Sequence, residues 1–511
     1  MADRPVPGFA DTRVVIRSAA WNLLGRAGPI VVALLVTPHL LHSLGESRWG
    51  IFTIALSLIG IFGIFDLGLG RALTRAVAER IGAGKPEEAA SLVLTGMLAL
   101  TALSVLGAGA AAGLARQWVG GGLRIPPDLH DEVLAAMYVL CLSAPLVVIN
   151  AAMWGVIAAF QKFRAANLIN IPILSLYYLG PLAALQVWDS LVAAMLVLVG
   201  CRLAMTGAYW LLCVRAMPSL RTARLDLKGL RPLLRLGGWM TVSNLMSPFL
   251  SYADRFAIAS VLSAAAAGYY TTPLDLVSRF SILSFAIMSS AYPAMAASFR
   301  HDAANTATLF RRSTLAIIAA LFPACLVIVA LGHPLLAAWL GAGFAGHAAP
   351  LLFWISLGVL LSCVGSVAAG LIDGIGRADV NAKLAVLELA LFMMVLMSLL
   401  SAFGILGAAM AFTVRIAVEI GTRLWFAARL YPPIRPAVRQ VIPAILAAAA
   451  LLGLPLLAGG GAWRVALAAL AWAGLMLVVW RASLAAPERA QALAWLRQGA
   501  AFARAFPAGL R

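Results

Sequence analysis

The sequence predicts an all-α polytopic membrane protein of about fourteen transmembrane helices, and three observations predict it. Of 511 residues, 63% are hydrophobic and only 11% charged, whereas soluble domains carry about 25% charged residues. Apolar stretches, most of them about 18–28 residues long, recur along the whole chain, and that length crosses roughly 30 Å of hydrocarbon. Lysine and arginine fall on alternate loops between those stretches, which is the charge signature of membrane topology.

In order, the apolar segments are 18–41, 51–69, 89–113, 133–158, 168–187, 191–213, 236–262, 268–295, 314–340, 350–371, 384–401, 404–428, 440–458 and 463–480. Segment 1 reads as a retained membrane helix and not as a cleaved signal peptide. It is long, holds Arg26, and has no small-x-small cleavage site leading into a soluble domain. Prolines interrupt many segments: Pro29 and Pro38 in segment 1, Pro248 in segment 7, Pro273 and Pro293 in segment 8, Pro323 and Pro334 in segment 9. Neighbouring helices must re-satisfy the carbonyls these prolines release.

Of the 38 Lys+Arg, 28 lie in the loops and tails of one side, 4 on the other (Arg48, Arg116, Arg124, Arg464) and 6 inside apolar segments. The basic side is assigned to the cytoplasm, so an even segment count places both termini there. The net charge of +18 is then explained by topology and by anionic lipid head groups; no nucleic-acid partner is expected. The five cysteines stand singly in apolar segments and the six histidines form no ligand cluster, so no metal and no cofactor is expected. Gly84-Lys85 is followed by Pro86, not by the residues of a phosphate-binding loop. The acids Asp128, Asp131 and Glu132 read as a solvated outer loop and not as catalytic groups, and no catalytic residue is assigned.

The chain repeats itself weakly. A shift of 218 residues places Arg17 and Trp21 on Arg235 and Trp239, Leu44 on Leu262, Gly50 on Gly268, Thr53 on Thr271 and Leu56 on Leu274. The shift spans six segments, so both copies enter from the same side. This predicts two six-helix bundles related by a pseudo-two-fold axis along the membrane normal, with the site at their interface. The expected organisation is an N-terminal lobe (1–214), a basic linker (215–235), a C-terminal lobe (236–428), two extra helices (429–480) and an amphipathic tail (481–511).

Polar residues inside apolar segments are costly and mark candidate sites. Segment 1 carries Asn22 and Arg26; segment 7 carries Asn244, Ser247, Ser251 and Asp254 on one stripe, with Arg255 beside it. Because these segments are equivalent in the repeat, their stripes are expected to face each other. Arg26 has no acid three or four residues away. In a wet cavity its guanidinium fork suits phosphate. Asp275 and Arg279 in segment 8, and Arg415, Glu419 and Arg423 in segment 12, stand at i,i+4 spacing and can neutralise each other. Asp66 closes segment 2. These acids and their basic neighbours are coupling or structural candidates.

The stretches 44–52, Leu-Gly-Glu-Ser-Arg-Trp-Gly-Ile-Phe, and 65–75, beginning Phe65-Asp66-Leu67-Gly68, resemble the amino-terminal signature of polysaccharide flippases, a branch of the multidrug/oligosaccharidyl-lipid/polysaccharide exporter superfamily. Trp49 stands where the family more often has Tyr or Phe. Ala253-Asp254-Arg255-Phe256 and Ala267-Gly268-Tyr269-Tyr270 are similar in the second half. The resemblance implies a flippase for undecaprenyl-pyrophosphate-linked oligosaccharide, with a cationic cavity, alternating access, and Arg26 and Arg255 as head-group residues. Membrane lipid and other polysaccharide-assembly membrane proteins are the further partners it implies. The alternatives are a lipid II-type flippase, which the two extra helices suggest, a multidrug cation exporter of the same superfamily, and, more distantly, a membrane sugar polymerase or glycosyltransferase.

Overall fold

The computed structural model describes residues 12–66, 69–225, 246, 248–483 and 489; of 12–27, 66, 69–72, 75 and 78 it describes the backbone alone. Among the described residues there is no strand. The helices are α1 (Thr12–Phe62), α2 (Leu69–Gly82), α3 (Pro86–Gln117), α4 (His130–Cys141), α5 (Ser143–Ala159), α6 (Phe163–Leu185) and α7 (Leu191–Ala216). After α8 (248–261) come α9 (Ala264–Ser278), α10 (Ser281–Ser298), α11 (Ala303–Leu340), α12 (Ala342–Ala348), α13 (Leu352–Gly374), α14 (Ala378–Leu430), α15 (Arg435–Leu451) and α16 (Gly461–Val478). Eleven spans among the described residues are long and apolar enough to cross a membrane, and the protein is an all-α multi-pass membrane protein.

Two of those spans contain sharp breaks. Segments 1 and 2 join in α1, which turns at Gly45 (φ 71°, ψ 168°); segments 11 and 12 join in α14, which turns at Gly404 (φ 60°, ψ −141°). A positive φ is open to glycine without steric cost. Segment 8, expected as one helix, is instead divided. Arg279 and Phe280 form a turn between α9 and α10, tightened by i→i+3 bonds from Arg279 N to Leu276 O (3.2 Å) and Phe280 N to Val277 O (3.0 Å). The loop expected after segment 2 contains the short amphipathic α2, which buries Leu73 and Val77. Apart from residues 246 and 489, the tail beyond 483, the linker from 226 onward and the first part of segment 7 lie outside the described residues.

The chain forms two compact units. The first comprises Met1–Thr272, Trp339–Phe344 and Ala385–Ala411; the second Pro273–Ala338, Ala345–Leu384 and Phe412–Arg511. In the first, α6 packs on α1 and α7, and α5 packs on α2, α3 and α7. Its core centres on Leu100, Val148, Ala152, Val156 and Tyr209. Val148, Ala152 and Val156 lie at steps of four, on one buried face of α5. In the second unit α10 packs on α13 and α15 on α16. There α11 buries Phe310, Thr314, Ile317, Leu321 and Cys325, again at helical spacing, despite carrying Pro323 and Pro334.

Candidate functional site

Within the first unit the sequence repeat meets itself. Gly50 of α1 and Gly268 of α9 are equivalent under the 218-residue shift, and they touch. A Cβ added to Gly268 would lie 3.1 Å from the Gly50 Cα, and one added to Gly50 would lie 1.8 Å from the Ala264 carbonyl oxygen. This is a close crossing of α1 and α9, with no room for a side chain at either glycine. Around it, Trp49 Nε1 donates to Thr272 Oγ1 (2.9 Å), whose hydroxyl donates to Gly268 O (2.9 Å), and the Tyr269 hydroxyl donates to Glu46.

From this crossing a polar ladder runs along α1. Thr53 Oγ1 donates to Gly50 O (2.8 Å) and Ser57 Oγ donates to Thr53 O (2.9 Å). The Ser57 hydroxyl then accepts from Arg255 Nη1 of α8 at 2.8 Å. Arg255 is 7% exposed and its neighbour Asp254 2%. Asp254 accepts from the Arg255 backbone N–H (2.8 Å) and from the Tyr270 hydroxyl (2.6 Å). The guanidinium lies over the Tyr252 ring, 5.1 Å from its centroid. Gly60 makes room for that ring, since a Cβ there would fall 2.5 Å from the Tyr252 hydroxyl. A buried cation in an apolar helix is tolerable only with such company.

α8, with Leu58 and Ile61 of α1, also borders an apolar cavity. Phe249, Ala253, Phe256 and Ser260 line one side of a cavity of about 930 Å³ completed by Trp118 and Met397, while Tyr252 and Arg255 face α1. The positions split at steps of three and four, so one helix presents a charged face and an oily face.

The structure thus brings together Asp254 and Arg255 of the expected set, and joins to them Ser57, Tyr252 and Tyr270, which the sequence reading passed over. Ser57 stood at i+4 from Thr53 inside an apolar segment, and that spacing was the signal. Ser251 is exposed on α8, one turn before Arg255. The side chains of Asn22, Arg26, Asp66, Asn244 and Ser247 lie outside the described residues. Asp275 is half-buried on α9, whereas Arg279 falls in the turn that follows.

Other membrane charges have local structural partners. Glu419 pairs with Arg415 (3.6 Å) and with Arg423 in α14. Arg202 stacks over Tyr177, 5.2 Å from the ring centroid. Glu132, expected in a solvated loop, is instead a clamp. It accepts from Arg48 (3.0 Å), from the Ser190 hydroxyl (2.9 Å) and from the Leu191 N–H (2.6 Å), and so ties α1, α4 and the start of α7 together.

The chain is 24% identical over 429 residues to the Shigella flexneri protein named "Putative O-antigen transporter", covering 81% of this chain and 98% of that one. Among solved structures it resembles an inward-facing multidrug resistance MATE family transporter of the MOP superfamily (TM-score 0.63, 14% identity, 81% of this chain and 99% of that one). It also resembles the lipid II flippase MurJ in an inward closed conformation (TM-score 0.62, 12% identity, 92% and 98%). At those identities the two structures establish a shared fold. Residues 15–299, more than half of the chain and inclusive of the Gly50–Gly268 crossing and the Arg255 network, match the model of one sequence family, and on that match the chain belongs to the polysaccharide biosynthesis protein family.

Proposed function

We propose that the protein moves a polyprenyl-pyrophosphate-linked oligosaccharide from the cytoplasmic to the periplasmic leaflet of a bacterial inner membrane, by alternating access, for cell-surface polysaccharide synthesis. The observation that carries this reading is the match to the O-antigen transporter, which spans 98% of that protein. The geometry supports it through Arg255. A guanidinium held inside the membrane by Ser57 and Tyr252 is a fixed positive group, suited to a pyrophosphate passing between two lobes. In this reading the lobes are 1–214 and 236–428, joined by the basic linker 215–235. Arg26 is the second cationic residue, and Asn22, Asn244, Ser247 and Ser251 contact polar groups of the sugar. In this reading one of Asp66, Asp254 and Asp275 couples an ion. An inside-negative potential favours outward movement of an anion by about 2.3 kcal/mol per charge per 100 mV, a drive that needs no nucleotide.

The test is reconstitution of the full chain into vesicles and measurement of transbilayer movement of an undecaprenyl-pyrophosphate oligosaccharide. Arg26→Ala and Arg255→Ala are each expected to slow movement about tenfold or more, the loss of one charge-assisted contact. Unchanged rates in both variants would remove the site assignment. Efflux of organic cations without lipid movement would overturn the substrate class.

A further inference from the structure

The second unit holds a groove that the proposed transport does not use. It lies between α13, the last third of α14 and α15, and has a volume of about 840 Å³. That is within the roughly 300–1,000 Å³ of small-molecule sites. Leu361, Ile420, Leu424, Ile445 and Leu446 form apolar walls, and one end carries Arg429, Arg435 and Arg439. All three arginines are exposed, as are Trp425 (53%), Ile442 (39%) and Leu446 (63%).

Two of the arginines have contacts that fix them. Arg435 Nε donates to Ala428 O at 3.1 Å, capping the end of α14, and Arg429 lies over the Trp425 ring, 5.1 Å from its centroid. Arg435 and Arg439 stand one turn apart at the start of α15, whose N-terminal dipole adds positive potential. Among the described residues no carboxylate pairs with any of the three. Glu419, higher on α14, is committed to Arg415 and Arg423. Three positive groups at the mouth of an apolar, lipid-accessible groove make a site with one charge and one oily wall. A zwitterionic or uncharged lipid fits only half of it.

We infer that this groove binds an anionic phospholipid of the surrounding leaflet, its phosphate on Arg429, Arg435 and Arg439 and one acyl chain along α14 and α15. Basic pockets between membrane helices recognise lipid phosphate in this way, and the guanidinium fork matches the phosphate oxygens. The lipid would fasten α15 to the end of α14 across the Pro432–Ile434 turn.

The test is lipid titration of the purified full chain by native mass spectrometry, with dioleoyl phosphatidylglycerol against dioleoyl phosphatidylcholine. The wild type is expected to bind phosphatidylglycerol about a hundredfold more tightly, three basic groups each contributing at the interface. The triple variant Arg429→Gln, Arg435→Gln, Arg439→Gln is expected to lose that preference. Ala449→Phe, which fills the groove and leaves the charges, is expected to weaken phosphatidylglycerol binding with the arginines intact, so a folding failure of the triple variant cannot stand in for the result. Equal affinity for the two lipids would overturn the inference, as would full phosphatidylglycerol binding by both variants. Tight binding of farnesyl diphosphate with no preference for phosphatidylglycerol would overturn it in favour of the transported lipid as occupant.

Discussion

Inside this membrane protein an arginine is defined by what surrounds its guanidinium. The Arg255 guanidinium meets the Ser57 hydroxyl of α1 and the Tyr252 ring of α8, while the neighbouring Asp254 carboxylate accepts from the Arg255 backbone N–H and from Tyr270 of α9. Arg415 and Arg423 instead share Glu419 within one helix, their side chains 11% and 17% exposed. The second arrangement is an ion-paired triad along one helix face. Removing its single acid strands two cations in an apolar setting, at a cost of about 3–5 kcal/mol for a buried pair. Glu419→Ala is therefore expected to lower the thermal midpoint of the detergent-solubilised protein markedly, whereas replacing all three charges with leucine is expected to restore most of it. A neutral Glu419→Ala would show that the triad contributes nothing. The i,i+4 spacing made this pair legible in the sequence, while the partners of Arg255 were not, because Ser57 lies 198 residues away.

At the scale of elements, glycine decides how closely helices cross and where they turn. Gly45 and Gly404 let α1 and α14 turn while remaining nearly continuous. Gly50 lets α1 meet α9 backbone to backbone. Gly50→Ala must move the Ala264 carbonyl, and such overpacking costs typically about 1–3 kcal/mol. Gly109 of α3 provides the opposite case, since a Cβ there meets nothing within 4 Å. Gly109→Ala is expected to be neutral or to stabilise by about 0.5–1 kcal/mol through lost chain entropy. Thermal denaturation of the two variants should move in opposite directions, and a stable Gly50→Ala would refute the tight crossing. The sequence marked Gly50 and Gly268 as equivalent; it did not mark them as neighbours.

For the whole molecule, orientation is the testable property. The five cysteines, Cys141, Cys201, Cys213, Cys325 and Cys363, are all buried, so single introduced thiols report without a cysteine-free background. Val187, 91% exposed between α6 and α7, ends segment 5 at the outer side in the charge-derived topology, and Glu87 at the start of α3 belongs to an inner loop. Val187→Cys is expected to react with a membrane-impermeant maleimide in spheroplasts, and Glu87→Cys only after permeabilisation; the reverse pattern would invert the topology. By itself the sequence determined the all-α membrane class, the approximate helix spans, the weak repeat and the candidate cation Arg255, because hydropathy, charge bias and internal register are written along the chain. Only the tertiary structure decided that Gly50 and Gly268 meet at a close crossing, that Glu132 is a clamp and not a solvated acid, that segment 8 breaks at Arg279, and that Ser57, Tyr252 and Tyr270 contact Asp254 and Arg255. Those facts depend on contacts between residues distant in sequence, and in an apolar chain many segments offer the same pattern to every possible partner; packing alone selects one.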